Sequence, residues 1–355
     1  MKKIWISTTL LLLVTVLSAC GQSDGGTLNV LNWGDYINPD LITRFEEETG
    51  IEVIYDEVGS NEEMDVRIQL ATTEYDLMVP SDYMMDKWVQ EGQIQPLDFD
   101  LIPNYDANNL MAGVVDLIDG ERFYDYTVPY FYGTIGLMYN TNVEGLAEAI
   151  EARGFGVLFD QDSPYAIGMY DSPRDALGAA LMHLGYSPNT EDASHIQMAE
   201  TILKFANIAA YGEDDLNNRV IEGNLDVALV YSGDYFDELY AHEAEGLDVN
   251  FAYYAPERTN VWVDGFVIPE NANNVEAAHA FINFMVDPDN ALDNADYVGY
   301  TPVFTDTYET ILADFELDAS IFNPIPSGQT RYIYQFLSSA HNEALLEAFN
   351  RAKSN

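Results

Sequence analysis

The sequence predicts an α/β protein with two successive α/β segments. Three observations predict it. Strand-like and helix-like stretches alternate from Thr27 onward, the order that builds a parallel sheet with helices on its faces. A second alternating series follows an aromatic, glycine-containing stretch, VPYFYGTIGLMYN. The chain, at 355 residues, is also long enough for two domains.

Each element has a local reason. Thr27 to Asn32 alternates as a strand. Asn38 then caps a helix over Pro39 to Thr49, with Pro39 in the first turn, where its missing N–H costs nothing. Leu41, Ile42 and Phe45 share one face of that helix, and Gly50 closes it. Ile51 to Val58 is the next strand. Ser60 and Glu63, at capping-box spacing, start the next helix. Tyr75 to Val79 is a third strand, and a helix begins near Met84. Tyr126 to Tyr132 is extended and aromatic, and Gly133 and Gly136 are expected to break it before a short strand, Leu137 to Tyr139. The second series comprises a strand at Ala166–Tyr170 and helices at Arg174–Leu184 and Ala193–Ala209. Strands follow at Leu225–Tyr231 and Val261–Glu270, then a helix at Val275–Val286. Tyr332 to Arg351 reads as an amphipathic helix pair.

The N-terminus reads as an export signal. Lys2 and Lys3 precede an apolar run from Ile4 to Ala19, which is short for a membrane span. Leu17-Ser18-Ala19-Cys20 is similar to a bacterial lipobox, so residues 1–19 are expected to be removed and Cys20 lipidated. That would anchor the chain to the outer face of the membrane, or hold it in a periplasm. Residues 20–26 then read as a tether. Cys20 is the single cysteine, which excludes an internal disulfide and a multi-cysteine metal site.

Acidity excludes another class. The chain carries 14 Lys+Arg against 60 Asp+Glu. Losing residues 1–19 removes Lys2 and Lys3 but no acid, leaving 12 basic and 60 acidic residues, net −48. Nucleic acid is not an expected partner, because binding it requires a basic face. An acidic shell suited to salty or alkaline surroundings accounts for much of this charge. An acidic cleft that attracts a cation is compatible with it.

Two loops mark where a ligand would sit. In an open α/β sheet, ligands lie beyond the carboxyl ends of the strands. Trp33, Asp35 and Tyr36 follow the first strand, and Ser81 to Tyr83 follow the third. Both loops leave the same sheet edge and can converge. The five histidines, His183, His195, His242, His279 and His341, show no HExxH-like spacing, so no metal or other cofactor is expected.

Seven stretches run in a recognisable order: NWGDY, GIEVIYDEVGSNEEM, YDLMVPSDYMMDKWVQEGQIQPLD, HLGYSPNT, WVDGFVIP, INFMVDPD and VGYTPV. On these the chain resembles the extracytoplasmic polyamine-binding proteins of ABC importers, from about Leu28 to Lys353. The resemblance implies a type II periplasmic-binding fold, two α/β lobes with a ligand cleft between them. One lobe would take 27–131 plus 262–301 and the other 132–261 plus 302–355. It also implies a monomeric receptor, without catalysis, that delivers putrescine or spermidine to permease subunits in the membrane.

The chemistry of such a ligand explains the residues. A polyamine is an alkyl rod with protonated amines. The amines require oxygen acceptors, because an unpaired buried cation is very costly. The methylenes require flat apolar walls, and aromatic faces also attract cations, by about 0.5–2 kcal/mol per contact. By resemblance, Trp33, Asp35 and Tyr36 form a first binding loop, with Asp35 on an amine, and Ser81 and Tyr83 form a second. Tyr231 stands where the family usually has Trp, Asp234 matches an acid of putrescine-type members, and Trp262 with Asp264 forms a further pair. Tyr300 and Gln335 match further contacts. Where spermidine-type members carry two acids, this chain has Ser172 and Asp175. That departure leaves the ligand's length open and is compatible with a shorter diamine.

Plainer readings exist. Trp33, Tyr83, Trp262 and Tyr300 suit a core or its rim, Asp35 suits a turn beside a helix start, and Arg174 suits a surface or inter-lobe ion pair. Asp264 is harder to explain away, since it lies within an apolar strand. Two other functions share these features: a receptor for another cation such as thiamine or ferric ion, and an exported glycoside hydrolase using an acid pair. Against hydrolysis, the acid–aromatic positions are spread over several loops, and no GxSxG or HExxH occurs.

Overall fold

The computed structural model describes residues 26–70, 74–213, 215–315, 317, 319–323 and 330–354. The expected signal segment, Cys20 and all of the tether except Gly26 lie outside the described residues.

The first elements follow local chemistry. They are β1 (Thr27–Trp33), α1 (Pro39–Thr49), β2 (Glu52–Val58), α2 (Asn61–Leu70), β3 (Leu77–Met78) and α3 (Asp82–Glu91). The strands form a parallel sheet in the order β2-β1-β3. The Asn38 side chain accepts from the Asp40 N–H at 3.0 Å, and Gly50 closes α1 at φ 73°. The Ser60 hydroxyl accepts from the Glu63 N–H at 3.1 Å, while Glu63 accepts from Gly59 at 3.3 Å rather than from Ser60 itself.

Next come β4 (Ile94–Gln95), α4 (Ala112–Ile118), β5 (Val128–Asn140), α5 (Leu146–Arg153), β6 (Ile167–Tyr170), α6 (Pro173–His183) and α7 (Ala193–Phe205). They are followed by β7 (Ile208–Gly212), α8 (Asp215–Ile221), β8 (Val227–Tyr231), α9 (Ser232–Glu245), β9 (Phe251–Tyr254) and β10 (Arg258–Phe266). The chain finishes with β11 (Ile268–Pro269), α10 (Val275–Met285), α11 (Pro288–Val298), β12 (Thr301–Pro302), α12 (Thr305–Asp314), α13 (Ala319–Phe322), β13 (Thr330–Tyr332) and α14 (Ser339–Lys353).

β5 organises the second sheet. It pairs antiparallel with β10, β8, β9 and β12 along its 13 residues. The expected break at Gly133 and Gly136 does not occur. A Cβ built at Gly133 would overlap the Trp262 indole, and one at Gly136 the Tyr253 hydroxyl, so these glycines admit packed rings rather than end a strand. The expected helix to Ala209 stops at Phe205, where Ala206 turns extended and leads into β7. The expected C-terminal helix pair is one helix, because residues 330–332 instead add β13 to β10. The expected strand Val261–Glu270 divides into β10 and β11.

That division matters for the site. Asp264 lies opposite Phe131 and Gly265 opposite Pro129, so Tyr130 is an extra residue on β5. Such bulges bend a strand and re-aim its side chains. Two apolar clusters flank this region. One runs from Leu28 through Phe281 to Tyr334, and the other from Ile135 through Leu181 to Ala352.

Candidate functional site

The site forms where the β1 and β3 loops meet the end of β10 that faces the bulge in β5. Ser81 and Asp264 face each other across an isolated antiparallel bridge. The Gly265 N–H donates to the Pro80 carbonyl at 3.2 Å, and the Val263 N–H to Asp82 Oδ2 at 3.3 Å. Asn61 grips Ser81 twice, once at its N–H and once at its hydroxyl, both at 3.0 Å. The bulge residue Tyr130 donates to the Tyr36 carbonyl at 2.6 Å and thereby fixes the first loop. Tyr36 is thus turned inward, and its hydroxyl donates to Asp264 Oδ2 at 2.9 Å.

Asp264 is 5 % exposed, and its other oxygen, Oδ1, is buried without a donor in hydrogen-bonding geometry. Burial pushes its carboxyl up to about 7, while the nearby Ser81 and Tyr36 hydroxyls pull it down. A second carboxylate repeats the arrangement. Asp175 is also 5 % exposed, accepts the Tyr231 hydroxyl on Oδ2 at 3.0 Å, and leaves Oδ1 buried without a donor in hydrogen-bonding geometry, with the Tyr334 hydroxyl nearby. Burial raises it too, against the pull of Ser172 and Tyr231.

A row of rings joins the two acids. Tyr36 meets Tyr300 edge-on at 5.1 Å, Tyr300 meets Trp262 at 5.6 Å, and Trp262 meets Tyr231 at 6.0 Å. The Tyr300 hydroxyl donates to Asp234 Oδ1 at 2.6 Å, which brings a third predicted acid to the row. Gly233 is required here, since a Cβ on it would overlap the Tyr300 ring. Two buried, half-satisfied anions separated by aromatic walls can hold two cationic groups and the apolar chain between them.

The structure thus gathers Tyr36, Ser81, Asp175, Tyr231, Asp234, Trp262, Asp264 and Tyr300. It does not gather all the predicted residues. Asp35 is exposed, at φ 51°, so the carboxylate expected to meet an amine lies at solvent while Tyr36 turns in. Trp33 is half-buried, its indole N–H buried without an acceptor, and makes no ring contact with the row among the described residues. The Gln335 side chain is exposed, and its backbone binds Asn189 and Arg174 instead. Tyr83 is buried and donates to Glu62 at 3.1 Å.

Arg174 corrects a sequence expectation. Among the described residues it makes no ion pair. Its guanidinium carbon lies 4.1 Å from the Tyr83 ring centre and 5.4 Å from that of Tyr334. Sequence reasoning also passed over Asp82, Glu62 and Tyr334. Asp82 is wholly buried, and burial drives its carboxyl well above the usual range, although the Tyr83 and Val263 N–H groups favour its charged form. Its place directly before Tyr83, within a predicted loop, was the available signal.

A sequence profile of the bacterial extracellular solute-binding protein family matches residues 40–322. The chain is a bacterial extracellular solute-binding protein. This solute-binding protein is 32 % identical over 310 residues to the putrescine-binding periplasmic protein SpuD of Pseudomonas aeruginosa, covering 82 % of this chain and 83 % of the relative. It is 34 % identical over 292 residues to the spermidine/putrescine-binding periplasmic protein of Salmonella typhimurium, covering 80 % and 79 %. Among solved structures it superposes on a putative spermidine/putrescine ABC transporter protein of Listeria monocytogenes with a TM-score of 0.80, at 34 % identity, covering 92 % of this chain and 99 % of that one. The solute-binding protein therefore has the type II periplasmic-binding fold, as its sequence predicts. Among the described residues no helix is long and apolar enough to cross a membrane.

Proposed function

We propose that this solute-binding protein captures a polyamine, putrescine or spermidine, and delivers it to the permease of an ABC importer. One observation carries the reading: Asp264 and Asp175 are buried, each has one oxygen bound by a tyrosine and the other without a donor in hydrogen-bonding geometry, and a row of aromatic rings connects them. A protonated amine supplies the donor each free oxygen lacks, and burying an anion without a partner is costly. The relatives' names, which specify putrescine and spermidine, support the same choice. They lend nothing to a thiamine or ferric receptor or to a glycoside hydrolase.

The proposal extends to organisation. The lobes comprise 27–131 plus 262–301 and 132–261 plus 302–355. In support, the three crossings fall in β5, β10 and β12, neighbouring strands in which Trp262 pairs with Gly133 and Thr301 with Tyr132. Binding needs no covalent step. Cys20 carries the lipid that holds the mature monomer outside the membrane.

Isothermal titration of the chain from Cys20 onward with putrescine, spermidine, spermine, thiamine and a sugar panel tests the reading. Saturable heat with a polyamine and none with sugars is expected. Binding of a sugar or thiamine without any polyamine would overturn it.

A further inference from the structure

We propose that the Tyr334 hydroxyl is the second acceptor for the ligand's ammonium group at Asp175, so that this end of the cleft is built for a primary amine. The inference rests on the polyamine reading above and assigns a further residue to one end of that ligand.

Two buried polar atoms without hydrogen-bond partners lie side by side here. Asp175 Oδ1 is one, and the Tyr334 hydroxyl is the other. Tyr334 is 4 % exposed, and its hydroxyl lies beside the Asp175 carboxylate without a bond in hydrogen-bonding geometry. Helix α6 makes the room. Gly178 stands three positions after Asp175, on the same face of that helix. A Cβ built on Gly178 would come within 2.6 Å of the Tyr334 hydroxyl, so a larger residue there would displace the oxygen. The segment that carries Tyr334 is itself held in place. The Phe336 carbonyl accepts from Gln90 Nε2 of α3 at 3.4 Å, and the Gln335 N–H donates to Asn189 Oδ1 at 3.0 Å.

Ligand chemistry follows from this pair. A buried hydroxyl left unpaired costs free energy, and so does a buried carboxylate oxygen without a donor. One ammonium group between them relieves both costs. It donates one N–H to Asp175 Oδ1 and a second to the Tyr334 oxygen. The phenol hydrogen turns to Asp175 Oδ1, which has lone pairs for both donors. Tyr231 already occupies Oδ2, so every buried polar atom of the group is then satisfied. A primary ammonium group has three N–H bonds and meets this demand. A trimethylammonium group has none and cannot.

The test titrates putrescine into four chains that begin at Cys20: the parent, Tyr334→Phe, Asp175→Asn and the double variant. Tyr334→Phe keeps the ring and removes one oxygen, and should weaken putrescine binding by about tenfold. In the Asp175→Asn background the same change should cost less than about threefold, because the ammonium group that couples the two residues is no longer drawn there. The parent should also bind putrescine at least about tenfold more tightly than its bis(trimethylammonium) analogue. A co-crystal of the parent with putrescine should place one nitrogen within hydrogen-bonding distance of both Asp175 Oδ1 and the Tyr334 oxygen. Unchanged or tighter binding by Tyr334→Phe would overturn the assignment, tighter binding meaning that the hydroxyl competes with the ligand for Asp175. Equal losses in the two backgrounds, equal affinity for the quaternary analogue, or a nitrogen that meets Asp175 alone would overturn it too, while leaving polyamine capture intact. A parent that binds no polyamine would overturn the polyamine reading, and this inference with it. The co-crystal decides the matter even if a variant does not fold.

Discussion

The Tyr36 hydroxyl donates to Asp264 Oδ2 at 2.9 Å, although 228 positions separate the two residues. The bond ties the loop after β1 to β10 beside the bulge of β5. It fills one carboxylate oxygen and leaves the other for a ligand. The same pattern recurs at Tyr231 and Asp175, 56 positions apart.

Removing the Asp264 charge should abolish most binding. Asp264→Asn keeps the shape but leaves an ammonium group facing a neutral amide. Polyamine affinity should fall at least about tenfold by titration calorimetry. A variant that binds as tightly as the parent would exclude Asp264 from the site.

Binding should strengthen as pH rises. Asp264 is held at about 7 by burial in the free protein, and a bound cation requires its ionised form. The amines stay protonated, with reference values near 10. Affinity should therefore climb between roughly pH 5.5 and 8, with uptake of ligand releasing up to about one proton, and then level off. Asp175, also raised by burial, acts in the same direction. Calorimetry in buffers of different ionisation enthalpy measures that proton, and Asp264→Asn should remove its share.

The stability of the free protein should run the opposite way. A carboxyl raised from 3.8 to about 7 binds its proton more tightly folded than unfolded. Its contribution is fully present below pH ~4 and is lost as pH rises through ~7, on the order of 4 kcal/mol in total. Urea midpoints of the free chain against pH should show this decline, and Asp264→Asn should flatten it.

Gly233→Ala should damage the site without touching any acid. The new methyl group would overlap the Tyr300 ring, which must shift away from Trp262 and Asp234. Overpacking of this kind costs about 1–3 kcal/mol of stability. Polyamine affinity should fall with it, and a crystal structure of the variant should show Tyr300 displaced. Unaltered affinity would mean that Tyr300 is not a wall of the cleft.

The local part of this protein was legible in its sequence. Asn38, Pro39 and Gly50 bound α1 as predicted, because caps and turns depend on a few adjacent residues. The alternation of Thr27 to Val79 specified a parallel sheet for the same reason. The aromatic–acid composition of the loops, together with the family resemblance, pointed to Tyr36, Trp262 and Asp264. Tertiary structure decided the rest. Gly133 looked like a strand breaker until the Trp262 indole lay against it across the sheet. Asp35 and Tyr36 looked equally able to enter the cleft, and the positive φ at Asp35 together with the hold of Tyr130 turned only Tyr36 inward. Arg174 read as an ion-pair partner because a linear sequence shows its charge but not the two rings that α3 and the segment after β13 bring to it. Propensity acts between neighbours along the chain, whereas the burial of a charge depends on segments that meet only when the chain is folded.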